Sequence, residues 1–130
     1  MSTYGSIVIE GPDGAKAALN TEFDGQRKGG HPFTLGKWLP AALQRVLVDD
    51  WPSTAWSMAD ALLYDSLKNR KGEELHIDDP LKPYGDYFYI VRIEAKRFKS
   101  MEYTVVTAYA IVYDDDDEVH EVKIFEQEEE

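Results

Sequence analysis

Ten of the last seventeen residues are acids: Asp114, Asp115, Asp116, Asp117, Glu118, Glu121, Glu126, Glu128, Glu129 and Glu130, against Lys123 as the single base. Carboxylates at this density either hold a divalent cation or present a negative field to a cationic surface. A calcium loop needs alternating oxygen ligands, a glycine at its sixth position and a glutamate at its twelfth, an order that "DDDDEVHEV" lacks. His31, His76 and His120 fall in no HxxxH or HExxH spacing, and there is no cysteine, so neither a metal site nor a cofactor is expected. The field remains. Residues 114–130 carry −9, whereas residues 1–113, with fifteen acids and thirteen bases, carry −2 of the total −11. Such a field repels phosphates and attracts basic proteins, so direct nucleic-acid binding is not expected. The expected contact residues are Asp114, Asp115, Asp116, Asp117, Glu118 and Glu121, with Tyr113 beside them.

Three other groups of residues bear on chemistry. In "DGQRKGGHPFTLGK", Arg27, Lys28, Gly29, Gly30 and Lys37 surround a helix start, where free N–H groups and cations together can hold an anion. The spacing is neither that of the P-loop nor that of the dinucleotide fingerprint, and a solvated connector is the plainer reading. The carboxylate pairs Asp49-Asp50 and Asp78-Asp79 adjoin Trp-Pro or Pro, where aspartate serves turns and caps, and the serines include no GxSxG elbow. No catalytic residue is assigned, and the chain is not expected to be an enzyme. Tyr84, Tyr87, Tyr89, Tyr103, Tyr109 and Tyr113 cluster near the end of the chain, as a sheet core or as an aromatic face for a protein partner.

The elements that must position these residues follow from hydrophobic period. "TYGSIVIE", "GPDG" and "AKAALNTEF" read as a β-hairpin between residues 4 and 23, since Pro12 presets φ, Asp13 offers a side-chain turn bond and Gly14 accepts positive φ. Leu35, Leu39, Leu43 and Leu47 recur every four residues with Trp38, Ala42 and Val46 beside them, a helix whose start is set between residues 34 and 40 by the awkward Pro40. Regular helix from about Leu39, or a short turn before it, accommodates the proline. Ser53 or Thr54 caps a second helix that runs to about Arg70, with Trp56, Ala59, Leu63 and Leu67 as its expected buried stripe and Gly72 as its left-handed cap.

"ELHID" reads as a short edge strand. "DYFYIVRIEAKRF", "EYTVVTAYAIVYD" and "EVHEVKIFE" read as a three-stranded antiparallel meander joined by hairpin turns. Tyr87, Tyr89, Val91 and Ile93 share one face of the first. Thr104, Val106, Ala108, Ala110 and Val112 form a small-residue face of the second, suited to a closely packed helix. The expected fold is α+β, one domain over residues 1–130, with hairpin and meander joined in one sheet, helices on one face and residues 126–130 as a mobile acidic tail. No targeting segment is visible at the start and no apolar run nears the ~20 residues of a membrane span, so a cytoplasmic protein with no membrane partner is expected.

The first third, "YGSIVIEGPDGAKAALNTEFDGQRKGGHPFTLGKWLPAAL", resembles small phage and prophage proteins of unknown role. These share a Ser-led strand, a DG turn, a second strand ending in Trp-Asp-Gly-Tyr-Pro, then glycine and a helix with spaced leucines. The matching positions are Ser6, Ile7, Glu10, Asp13, Gly14, Asp24, Gly25, Gly30, Leu35 and Leu39, while Phe23 replaces the Trp and Gln26-Arg27 the Tyr-Pro. The resemblance implies a mobile-element origin and an α+β fold, with no catalytic residues to carry over. Joined to the acidic edge, it leads to an expected inhibitor of a basic, nucleic-acid-binding host defence protein, of anti-CRISPR or anti-restriction type. Two alternatives stand beside it: an immunity protein neutralising a basic toxin, and a small-ligand or nucleotide binder using loop 25–37.

Overall fold

The computed structural model describes residues 4–21, 34–49, 51–70, 75–78, 87–113 and 115–129. At the first turn Asp13 Oδ1 accepts a hydrogen bond from the Ala15 N–H at 3.1 Å and Gly14 takes φ 86°, a conformation that favours glycine. The turn fixes β1 (Gly5–Glu10) antiparallel to β2 (Lys16–Thr21), with Glu10 opposite Lys16 and Gly5 opposite Thr21, the hairpin expected from the sequence.

Helix α1 (Leu35–Asp49) begins where the Thr34 carbonyl accepts from the Lys37 and Trp38 N–H groups at 3.0 and 2.8 Å. Its start at Leu35 lies within the expected range of 34–40, and of the two accommodations for Pro40 neither is used, since regular helix runs through the proline. The leucine stripe crosses the proline without changing phase, and burying Leu35 and Trp38 on its far side outweighs the one backbone bond that proline withholds. Helix α2 (Ala55–Asn69) starts at a capping box: Thr54 Oγ1 accepts from the Ser57 N–H at 3.0 Å while Ser57 Oγ accepts from the Thr54 N–H at 3.1 Å. Its chain leaves through Arg70, while Gly72 lies outside the described residues.

The buried stripe of α2 differs from the expected one. Ala55, Met58, Ala59, Leu62, Asp65 and Ser66 face inward, whereas Trp56 and Leu67 are exposed and Leu63 is half-buried. Two apolar stripes of helical period coexist in this segment, and periodicity does not say which turns inward. The small side chains of Ala55 and Ala59 allow close approach to the sheet, and this orientation also delivers Asp65 to partners on α1.

Four further strands complete the sheet: β3 (His76–Asp78), β4 (Tyr87–Phe98), β5 (Met101–Tyr113) and β6 (Val119–Glu128). The order is β3-β2-β1-β4-β5-β6. The expectation of a hairpin plus a meander is corrected in strand order and count: β1 and β4 lie side by side and parallel, Gly5 beside Tyr87 and Glu10 beside Arg92, and β3, the short edge strand read in "ELHID", joins the same sheet beyond β2 as its sixth strand. The sheet is therefore mixed. A parallel pair requires a crossover of a dozen residues or more, and the helices lie within that connection.

Ile7, Ile9, Leu19, Tyr89, Val91, Ile93, Val106, Ala108 and Ala110 pack against Leu35, Trp38, Leu39, Leu43, Met58 and Leu62 in one core. Register sets large residues beside small ones, Tyr89 opposite Ala110 and Val91 opposite Ala108, so the helices approach over the small-residue face anticipated from β5. The β4–β5 turn holds Lys99 at φ 58°, and β6 carries one extra residue, since Ala108 faces Phe125 but Tyr109 faces Lys123. Hydrogen exchange is expected to be slowest at residues 87–93 and 104–112, together with β1. A rapidly exchanging β1 beside protected helices would contradict the central placement of the parallel pair.

Candidate partner-binding surface

The β5–β6 connection begins after Tyr113, and its described residues Asp115, Asp116, Asp117 and Glu118 are all exposed. Asp117 adopts φ 58°, a left-handed conformation that Asp and Asn tolerate better than most residues. β6 then forms one outer strand of the sheet, at the opposite side from β3. Carboxylates thus lie on a turn and along a sheet edge fixed by pairing with β5. Asp114 lies outside the described residues. Of the expected tail over residues 126–130, β6 continues to Glu128 and the Glu129 N–H donates to the Thr104 carbonyl at 2.8 Å, while Glu130 lies outside the described residues.

Glu121, expected among the contact residues, is held by the fold. Arg92, at the centre of β4 on the face away from the helices, donates from Nη1 and Nη2 to its two carboxylate oxygens at 3.2 and 2.9 Å, and from Nε to Glu10 Oε2 at 3.1 Å. The guanidinium also lies 5.1 Å from the centre of the Tyr109 ring, a cation–π contact. The hydrogen bonds to Glu121, then the one to Glu10 and the charge of both carboxylates, raise the Arg92 pKa further above its ordinary value despite partial burial. One side chain thereby links β1, β4 and β6 across the sheet.

The tyrosines divide between core and surface. Tyr89 is buried, Tyr103 and Tyr109 are half-buried, and Tyr87 and Tyr113 are exposed. Tyr84 lies outside the described residues. Tyr87, Phe88, Tyr89, Ala110, Ile111, Val112 and Tyr113 line a hollow of about 320 Å³ where β4 begins and β5 ends. Chain continuity sets Tyr113, and with it this hollow, beside the acidic turn. Aromatic rings next to carboxylates suit a cationic, partly apolar partner surface.

A second polar cluster, invisible in the sequence reading, lies between the helices. The Asp65 carboxylate accepts from Trp38 Nε1 at 2.9 Å and from Arg45 Nε and Nη2 at 2.8 and 2.7 Å. Burial pushes the Asp65 pKa up, but the hydrogen bonds and charge of Arg45 and the Trp38 bond outweigh it and leave it lowered. Arg45, Tyr64, Asp65 and Lys68 border a groove of about 430 Å³ between α1 and α2. A sequence signal existed: Asp65 continues the helical spacing of Met58 and Leu62, an acid within an apolar stripe.

Of the expected anion site, Arg27, Lys28, Gly29 and Gly30 lie outside the described residues, and Lys37 is exposed in the first turn of α1. Among the described residues no group of three His, Asp or Glu side chains is placed to hold a metal ion. Nor is any described helix long and apolar enough to cross a membrane. The structure is thus an α+β open-sheet protein with an acidic edge. Comparison with protein-family models, curated proteins and solved structures finds no match.

Asp65 gives a pH-dependent prediction. Its folded pKa is depressed, so its contribution to stability is present above the unfolded value near ~3.9 and is lost as pH falls through the folded value. Asp65→Asn is expected to lower stability at neutral pH by about 1.5–3 kcal/mol, the range for hydrogen bonds to charged groups. Chemical denaturation at several pH values checks this. The gap between native and variant closes below the unfolded pKa, and a gap constant with pH would contradict the ion-pair account.

Proposed function

We propose that this chain is a non-enzymatic acidic binding protein of phage type that inhibits a basic, nucleic-acid-binding host defence protein, in the anti-CRISPR or anti-restriction manner. What carries the reading is the concentration of −9 in residues 114–130, combined with a folded scaffold for that charge. The turn at Asp115–Glu118 projects its carboxylates at the end of a paired hairpin, beside the exposed Tyr113. Carboxylates held on a fixed backbone imitate the repeated charge of a phosphate chain better than a free tail does, because their spacing does not have to be ordered on binding. Partners that bind nucleic acid offer the complementary Lys and Arg channel. The resemblance of the first third to phage proteins supports the same biological setting.

The partner is to be isolated by affinity capture from the native host, and its DNA or RNA displaced by the added chain. Substituting Asp115→Asn, Asp116→Asn and Asp117→Asn together preserves size and the turn conformation, so circular dichroism is expected to be unchanged. Surface plasmon resonance at several salt concentrations is expected to show association slowed by about tenfold at low salt, the lower end of electrostatic steering, and a shallower salt slope. Identical rates and slopes for native and substituted protein would show that the turn serves solubility alone.

A further inference from the structure

The hollow where β4 begins and β5 ends is lined by residues 87–89 and 110–113, none of them charged. Its volume of about 320 Å³ is at the low end for sites that enclose a small ligand, which favours one long side chain over a folded segment. Ala110, the smallest lining residue, stands opposite Tyr89 and leaves room beside that ring. Tyr87 and Tyr113, also in the lining, are 38% and 62% exposed, and among the described residues no lysine or arginine of this chain stands over either ring. The carboxylates come next along the chain. Two residues of backbone span at most about 7 Å, so Asp115 stays close to Tyr113, and Asp117 belongs to the same turn.

We propose, resting on the partner-binding reading above, that this hollow receives the side chain of one arginine from the basic partner, laid on the Tyr87 and Tyr113 rings with its charge carried to Asp115 and Asp117. The sheet already contains such a contact within one chain. Arg92 lies 5.1 Å from the Tyr109 ring centre while its N–H groups donate to Glu121 and Glu10. Tyr113 continues the face of β5 that carries Tyr109, so an arginine at the hollow repeats the arrangement further along the strand, with aspartates in place of glutamates. Long cationic side chains bury their stems on apolar surface and keep their charge in water, which matches an uncharged hollow with acids at its margin. Lysine fits less well. Its ammonium is a compact, strongly hydrated charge, whereas a guanidinium stacks flat on a ring and donates to two carboxylates at once. Arginine is also enriched among the few residues that carry most of the affinity at protein interfaces.

Acetylated tri-arginine and tri-lysine amides, equal in charge, serve as probes in a nuclear magnetic resonance titration of the isotope-labelled chain. Tri-arginine is expected to shift the amides of residues 87–89 and 110–113 and to bind about two- to fivefold more tightly than tri-lysine, the range for a cation–π contact at an exposed site. Tyr87→Leu and Tyr113→Leu keep apolar bulk at exposed positions, so the circular dichroism spectrum is unchanged, and together they are expected to remove the preference for arginine. Asp115→Asn with Asp117→Asn is expected to weaken both peptides. No binding by either peptide, equal affinity of the two for the native chain, a preference that survives both leucines, or shifts confined to the acidic turn would each overturn the proposal. Those outcomes leave the acidic edge standing as a partner surface, a reading that fails separately, on partner association that ignores the three asparagine substitutions.

Discussion

The pairing of β1 with β4 is the constraint on which the remaining structure rests. A two-stranded hairpin is marginal by itself, and β1–β2, flanked on one side by the three-residue β3, joins the long strands only by lying parallel to a strand that begins some eighty residues later. Because parallel neighbours cannot be joined by a tight turn, the intervening chain has to cross over the sheet, and both helices fall in that crossover. Ile7 and Ile9 of β1 consequently lie beside Tyr89 and Val91 of β4 in the one core, which is continuous from hairpin to meander. Arg92 reinforces the junction from the opposite face, since its position in the register is directly beside Glu10.

Charge in this molecule is divided by task. Glu10, Glu121 and Asp65 are engaged with arginines, where their carboxylates define the relative position of strands or helices. Such pairs contribute modestly to stability when exposed and more to fixing one arrangement among several. Asp115 to Glu118 occupy a turn at the limit of the sheet, where mutual repulsion costs the fold little. An acidic protein can thus keep an ordered sheet while concentrating its field at one place, with the near-neutral remainder of the chain free to build a core.

Local chemistry was legible in the sequence, and non-local pairing was not. Pro12-Asp13-Gly14 encodes its own turn, Thr54 its own cap, and the leucines of α1 their own face, because each signal is complete within a few residues. The parallel pairing of β1 and β4 has no local signature: a strand's residues state which faces are apolar, not which strand lies alongside. The same limit hid the partners of Arg92, which lie 82 and 29 residues away along the chain, although a cation between Val91 and Ile93 was visible. On α2, two stripes of equal period competed, and the choice between them rested on alanines that fit against the sheet. At the acidic surface, the turn followed from charge and hairpin length, whereas the engagement of Glu121 depended on a side chain from another strand.

The additional residue in β6 acts as a parity change. Before Ile124 the strand follows an odd rule: Glu121 and Lys123 face away from the helices, and Val122 faces toward them. After it the rule is even: Glu126 and Glu128 share the outward face, while Phe125 meets Ala108 on the core side. A strand without that insertion would carry Glu126 and Glu128 under the helical layer and turn Phe125 out to water. One unpaired residue therefore works like a reading-frame shift within the sheet, and it is what allows a single strand to keep Glu121, Glu126 and Glu128 on one side, with Lys123 among them, and still turn Phe125 to the core on the other.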